Sequence, residues 1–534
     1  MRDKLRLAHS NRKAQQVRNK VRFFFLVRKS AQTNENQLIS GSPWPMGAHT
    51  DLQKTRFLTN EYYIYYFFVL VALAYLVSAA MEISTITPYQ SHLRPGWLTE
   101  YRDYDQQYEG FRKNFWLFGF ALSGYCVLSK LFRRRVEFIC LFNLLLVGLL
   151  HGMNALLLVS IVLVNFITTK FVQVRPKLVS WIFNLVSLFL VHHSGFSFNY
   201  SGLFPRWNIL YNLTMLRLLS FSLDYHTPTV DHSCALCVEK PCQRKRIGER
   251  RKEQEFSLIY YFAYVFYFPL FLAGPIITFN NFVSQIKNPR PIPNLLWYGI
   301  RLVFALLLLE VIFHYFHVIA IKDAKTWTAF TPLQFSAIGY FNLKIIWLKL
   351  LVIWRFCRFF AMVDGVVPEE NMDRCMSNNY SCRKFWKHWH KSFNQWLVRY
   401  IYIPLGGSGK LAYNVWIIFT FVAVWHDVSL QLLSWSWLIC LFLLPEIIAS
   451  VLSKKFGLVN LSYYRNLCAV GASFNIILMM VANLVGFAIG LDGMKEMALN
   501  IFTLNGLPFV FGIFVTFYSA AMIMFEIEEY RESK

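Results

Sequence analysis

Aspartate, glutamate, lysine and arginine are missing from long stretches of this chain. Charge-free runs cover 62–81, 114–129, 138–169, 178–205, 256–286, 428–445, 466–491 and 497–525. A helix needs about 20 largely apolar residues to cross the hydrocarbon of a bilayer, and most of these runs reach or approach that length. Three more stretches, 292–320, 333–360 and 411–427, are apolar but punctuated by charge. Together they predict about eleven spans. The 138–169 run has room for one steeply tilted helix or two short ones, with His151 and Asn154 near its middle.

Composition agrees with lipid as the solvent. Hydrophobic residues make up 56% of the 534 residues and charged ones 16%, against about 25% charged in an ordinary globular protein. A soluble surface has no place for 51 Phe, 28 Tyr and 16 Trp. The formal charge of +24 is assigned to cytosolic loops beside anionic headgroups, and nucleic acid is set aside as a partner. Residues 1–60 carry twelve Lys/Arg against three acids, and 224–255 ends in Arg244, Lys245, Arg246, Arg250, Arg251 and Lys252. Both segments are expected in the cytosol. The N-terminal segment is too basic and lacks the compact apolar core of a secretory signal. The domain plan is a basic segment 1–60, a transmembrane unit 61–526 and a short polar tail 527–534.

The ten cysteines are scattered. Cys126, Cys140, Cys357, Cys440 and Cys468 lie in apolar runs, where thiols act as small buried hydrophobes and a disulfide framework is not expected. Cys234, Cys237 and Cys242, with His226 or His232, have partial zinc spacing. A closed site wants four firm ligands, and with a single CxxC no metal is expected. Four Asn-x-Ser/Thr triplets, at Asn199, Asn212, Asn379 and Asn460, carry little weight beside membrane segments.

The stretch FWKHWHKSFNQWLVRYIYIPLGG (385–407) is the most informative. Its lysines, histidines and Arg399 would be costly in a lipid-facing span, yet its aromatics recur at helical spacing. An interfacial or re-entrant helix satisfies both. On one continuous helix Trp386, His390 and Asn394 share a face, and His388 points elsewhere. Thirty-six residues on, VWHDVS places His426 at the end of an apolar stretch. Histidine is the side chain best suited to move protons near neutral pH, although either histidine alone would also suit a structural role.

Two other ionisable faces stand out. Glu310, His314 and His317 are spaced for one helix face, suiting a proton relay or, preferably, a hydrogen-bonded lock between helices. Arg217, Ser220 and Asp224 share a face as well. Arg217 and Asp224 are candidates for substrate contact, the alternative being a buried ion pair.

FWKHWHKSFNQWLVRYIYIPLGG followed by VWHD, with FLAGPIITFNNF upstream at 271–282, resembles the membrane-bound O-acyltransferase (MBOAT) family. GLFPRWNILYNLTMLRLLSFSLDYH (202–226), AYVFYFPLFLAGPIITFN (263–280), GYFNLKIIWLKLLVIWRFCRFFAMVDGVVPEENM (339–372) and LFLLPEI (441–447) resemble its fungal glycerol-uptake-protein branch. The resemblance covers roughly 60–530. It implies an all-α polytopic membrane fold, with re-entrant or interfacial helices around a catalytic tunnel. It further implies acyl-CoA as donor co-substrate, no bound cofactor, and His426 and His390 as the signature pair, with Asn394 and Trp386 beside them. The branch implies a very-long-chain acyl group placed on the sn-2 hydroxyl of lyso-glycosylphosphatidylinositol (lyso-GPI) anchors. The implied location is the endoplasmic reticulum membrane, with the plasma membrane as a second site. The competing readings are a proton-linked glycerol transporter and an acyltransferase for another lipid or a protein. Oligomeric state is not legible.

Overall fold

The computed structural model describes residues 56–532 apart from 86, 194, 196, 199–201, 204–206, 230–241, 290–293, 326–329 and 428. The basic segment before Arg56, and His232, Cys234 and Cys237, lie outside the described residues.

Apart from one two-residue hairpin, Arg94–Pro95 with Tyr101–Arg102, the described chain is helical. Among the described residues six helices are long and apolar enough to cross a bilayer: Asn60–Ser84, Asn154–Phe171, Leu295–Tyr315, Leu430–Lys455, Tyr464–Ala488 and Leu507–Glu532. They are apolar around most of their circumference, and Phe67, Leu70, Leu149, Phe304 and Phe511 stand exposed on or beside them. Such a surface is stable only against lipid. The 138–169 run forms two helices, Arg135–His151 and Asn154–Phe171. Gly152 separates them at φ 57°, a conformation that glycine adopts without strain.

Six is fewer than the eleven predicted: the apolar helices Phe115–Leu131 and Tyr413–His426 fall short of spanning length, and two stretches depart further. The helix Trp207–Tyr225 was not among the eleven, yet most of it is buried in the fold. From Leu210 to Asp224 every residue except Leu213 is buried. A helix enclosed by protein shows no lipid-facing stripe and can carry Arg217 and Asp224. The 256–286 run, predicted as a span, is instead three short helices, Leu258–Val265, Phe268–Phe271 and Phe279–Lys287, joined by a buried link. Pro269 and the Gly274–Pro275 pair prevent a continuous helix.

Irregular backbone inside a bilayer must find partners within the protein, and here polar side chains supply them. Arg217 donates to the carbonyls of Val265 and Leu270 at 2.8 and 2.5 Å. The Asn143 side-chain oxygen accepts from Phe268 N, and Ser220 Oγ from Phe279 N. Asp224 accepts from Asn280 N at 3.2 Å. Arg217 and Asp224 therefore do not pair with each other. Asp224 pairs with Arg399 at 2.8 Å and accepts from Tyr400 Oη at 2.9 Å.

The first described long helix packs against the last, Asn60–Ser84 on Leu507–Glu532. Arg465 ties the pair together through Glu526, Glu529 and Tyr62. At the opposite end of the bundle, Glu310 accepts from Trp97 Nε1, Tyr108 Oη and Arg112 Nε at 2.8–3.0 Å. His314 accepts from Trp97 N through Nε2 and contacts the Glu310 carbonyl through Nδ1. His317 lies just past that helix and bonds to Ser84. The acid and the first imidazole thus fasten the 94–113 segment to Leu295–Tyr315, which is the lock anticipated above.

Candidate active site

The FWKHWHKSF segment does not form one helix. Cys382–His388 and Lys391–Leu397 are separate helices that meet at His390, whose φ of 45° is left-handed. The expectation that Trp386, His390 and Asn394 share one helical face therefore fails. Trp386 packs against Phe419 and Trp435, away from the histidine ring. Asn394 remains near the turn: its backbone N–H bonds to the His390 carbonyl at 3.0 Å, and its side chain reaches Lys387 O at 3.4 Å. A non-glycine residue held left-handed costs on the order of 1–3 kcal/mol, and such residues gather at functional sites.

Surrounding groups hold this turn in place. Asn371 does so twice: its carbonyl accepts from Lys391 N at 2.9 Å and its side-chain oxygen from Ser392 N at 3.3 Å. Ser392 Oγ then accepts from Ile276 N at 2.8 Å, joining the turn to the buried link. Asp373 pairs with His388 Nδ1 at 2.6 Å and Lys391 Nζ at 3.0 Å. Partial burial raises the Asp373 carboxyl, but the hydrogen bonds and charges of His388 and Lys391 outweigh it and bring the group down to about 2. From the preceding side, Glu446 accepts from Ser381 Oγ and Cys382 N at 2.6 and 2.8 Å, capping Cys382–His388.

The His390 ring is stacked on Trp354 at 4.5 Å and lies 5.2 Å from Phe393 and 6.3 Å from Trp425. Its Nε2 is buried and has no hydrogen-bond partner among the described residues. His426 ends the helix Leu411–His426. Its ring lies 4.6 Å from that of Trp425, so this one indole touches both histidines. His426 is itself exposed at this helix end, next to the buried Trp425.

Asn212 and Asp224, twelve residues apart on Trp207–Tyr225, mark the two ends of the site, about 18 Å apart along the helix axis. Asn212 contacts the Trp425–His426 terminus. Asp224 holds Arg399, which lines a narrow cleft of about 40 Å³ with Gln243, Asn281, Glu369, Ser392 and Gln395. The basic loop closes over this end: Arg246 donates to Asn281 at 2.8 Å and Gln243 to Gln395 at 3.1 Å.

The MBOAT profile, described as the membrane-bound O-acyltransferase family, matches residues 166–490. That range holds both histidines, Trp425 and the buried link. The chain is 37% identical to the membrane-bound O-acyltransferase GUP1 of Saccharomyces cerevisiae, over 90% of this chain and 93% of the relative. It is 35% identical to the membrane-bound O-acyltransferase gup1 of Schizosaccharomyces pombe, over 90% and 91%. This chain belongs to the membrane-bound O-acyltransferase family. It is similar at longer range to the mouse protein-cysteine N-palmitoyltransferase HHAT, at 26% identity over 41% of this chain and 46% of the relative.

As a membrane-bound O-acyltransferase, the chain brings His390, His426, Trp425 and Asn394 into one neighbourhood. Arg217 and Asp224 are spent on the fold beneath it. Glu310, His314 and His317 stand at the bundle end, tied to other partners. Sequence reasoning missed Trp354, Asn371, Asp373 and Trp425. Trp425 was the easiest to find, as the residue before His426. Asn371 and Asp373 lie far from His390 in sequence and had no periodic signal.

Proposed function

We propose that this acyltransferase moves a long acyl chain from acyl-CoA to the sn-2 hydroxyl of lyso-GPI lipid in the endoplasmic reticulum membrane. The observation that carries the chemistry is the buried Nε2 of His390, without a hydrogen-bond partner among the described residues, beside an indole shared with His426. A buried polar nitrogen without a partner is costly, and a substrate carbonyl would supply the partner.

His426 takes the proton of the acceptor hydroxyl as that oxygen attacks the thioester carbonyl carbon. His390 donates a hydrogen bond to the carbonyl oxygen as negative charge develops on it. The carbon–sulfur bond breaks, and the proton passes to the departing thiolate. The Arg399 cleft and basic loop suit the donor's polar head on the cytosolic side, with the acceptor arriving from the His426 end. Walls of Trp354, Phe393 and Trp425 exclude the water that would hydrolyse the thioester.

An oxygen acceptor is supported by the two relatives matched over nine-tenths of this chain, both named O-acyltransferases. The lyso-GPI assignment rests on the branch motifs. Cells lacking the protein should accumulate lyso-GPI anchors, and wild-type protein but not His426→Ala should restore the diacyl form. Normal anchor lipids in those cells would refute that acceptor.

A further inference from the structure

We propose that Asn212, held by His192, is a positioning residue for His426. The last carbonyls of a helix have no partners within it, and those of Leu411–His426 end at the histidine. Asn212 meets them with its side-chain amide, donating to Trp425 O at 2.8 Å and His426 O at 3.4 Å. The contact is reciprocal: Trp425 Nε1 donates to the backbone carbonyl of Asn212 at 2.8 Å. The amide itself is oriented by a third helix, because His192 Nε2 donates to Asn212 Oδ1 at 3.0 Å. Asn212 and Trp425 are both buried, so these bonds are shielded from competing water.

The chain His192–Asn212–Trp425 therefore fixes both the backbone that ends in His426 and the indole between the two histidines. Flipping or losing the amide would leave the helix end free to shift, and a misplacement of about 1 Å can cost on the order of 10²-fold in rate. Asn212 begins an Asn-x-Thr triplet, but its amide is committed to these contacts and is not open to a glycan.

This inference rests on His426 acting as the base, so His426→Ala is measured alongside. The test uses purified full-length protein, an acyl-CoA donor and a lysophospholipid or lyso-GPI acceptor, with kcat and KM taken per folded molecule. Asn212→Ala should lower kcat by about tenfold or more while the KM for acyl-CoA moves less than about threefold. His192→Gln, which keeps an N–H donor for Asn212, should stay within about threefold of wild type, and His192→Leu should lose about tenfold. The histidine pair decides the matter if Asn212→Ala does not fold. An Asn212→Ala enzyme with unchanged kcat, or His192→Gln and His192→Leu variants of equal activity, would overturn the inference. An active His426→Ala would instead remove the base assignment beneath it.

Discussion

The imidazole of His390 lies stacked on the indole of Trp354, with ring centroids 4.5 Å apart and planes 22° from parallel. Together with the left-handed backbone at His390, this stacking fixes the plane in which Nε2 points. Trp354→Leu removes the flat support. It should lower kcat by about tenfold at similar protein yield, and Trp354→Phe should recover most of the loss. Steady-state kinetics on both variants check this; equal, wild-type-like rates would show that the stack is passive.

Asp373 bears on pH. A carboxyl whose folded pKa is depressed contributes stability that is complete above its unfolded value and is lost as pH falls through the folded value. With the folded group at about 2 and an ordinary aspartate near 3.9, that window lies between about pH 4 and pH 2. Through the neutral range the carboxylate stays ionised. Asp373→Asn should therefore reduce acyl transfer by a factor that is the same at pH 6 and pH 8. A changed pH profile in this variant would show that the Asp373–His388 contact itself bears on turnover in the working range.

Asp224 is fully buried, and its partners Arg399, Tyr400 and Asn280 N all belong to the fold. Removing one member of a buried pair leaves the other charge uncompensated, at a cost of about 3–5 kcal/mol. Asp224→Ala should lower the thermal midpoint in detergent markedly, with little intact protein recovered. A stable Asp224→Ala with only a raised KM would favour substrate contact instead.

Long lipid-facing helices were legible because nothing competes with their apolar signal. Trp207–Tyr225 was not, because a helix buried on all sides obeys no membrane pattern and its charges argue against a span. The 256–286 run failed for the converse reason: its residues are apolar enough to span, and only Pro269 and Gly274–Pro275 hinted at the break. His390 and His426 were legible as ionisable groups in apolar surroundings, whereas the bend that separates Trp386 from His390 had no local signal. Groups such as Asn371 and Trp354 meet His390 only through the tertiary fold.

Glu310 separates lock from relay. Glu310→Gln keeps the shape but weakens the bonds from Arg112, Trp97 and Tyr108. It should lower the thermal midpoint while leaving acyl transfer per folded molecule within about twofold of wild type. Full thermal stability combined with lost turnover would point to a proton-carrying role.

His390 variants distinguish hydrogen bonding from packing. Asn retains an N–H donor and should keep measurable activity, whereas Leu fills the space without one and should lose about 10²-fold or more. Comparable activity in the two would remove His390 from the chemistry.

The most direct measurement is acyl transfer by purified His426→Ala, given a defined long-chain acyl-CoA and a lyso-GPI acceptor, with release of free CoA thiol and of acylated product both followed. The variant should purify and melt like wild type while both products fall by at least about 10²-fold, the contribution of a positioned general base. Turnover near the wild-type rate from a well-folded His426→Ala would contradict the account.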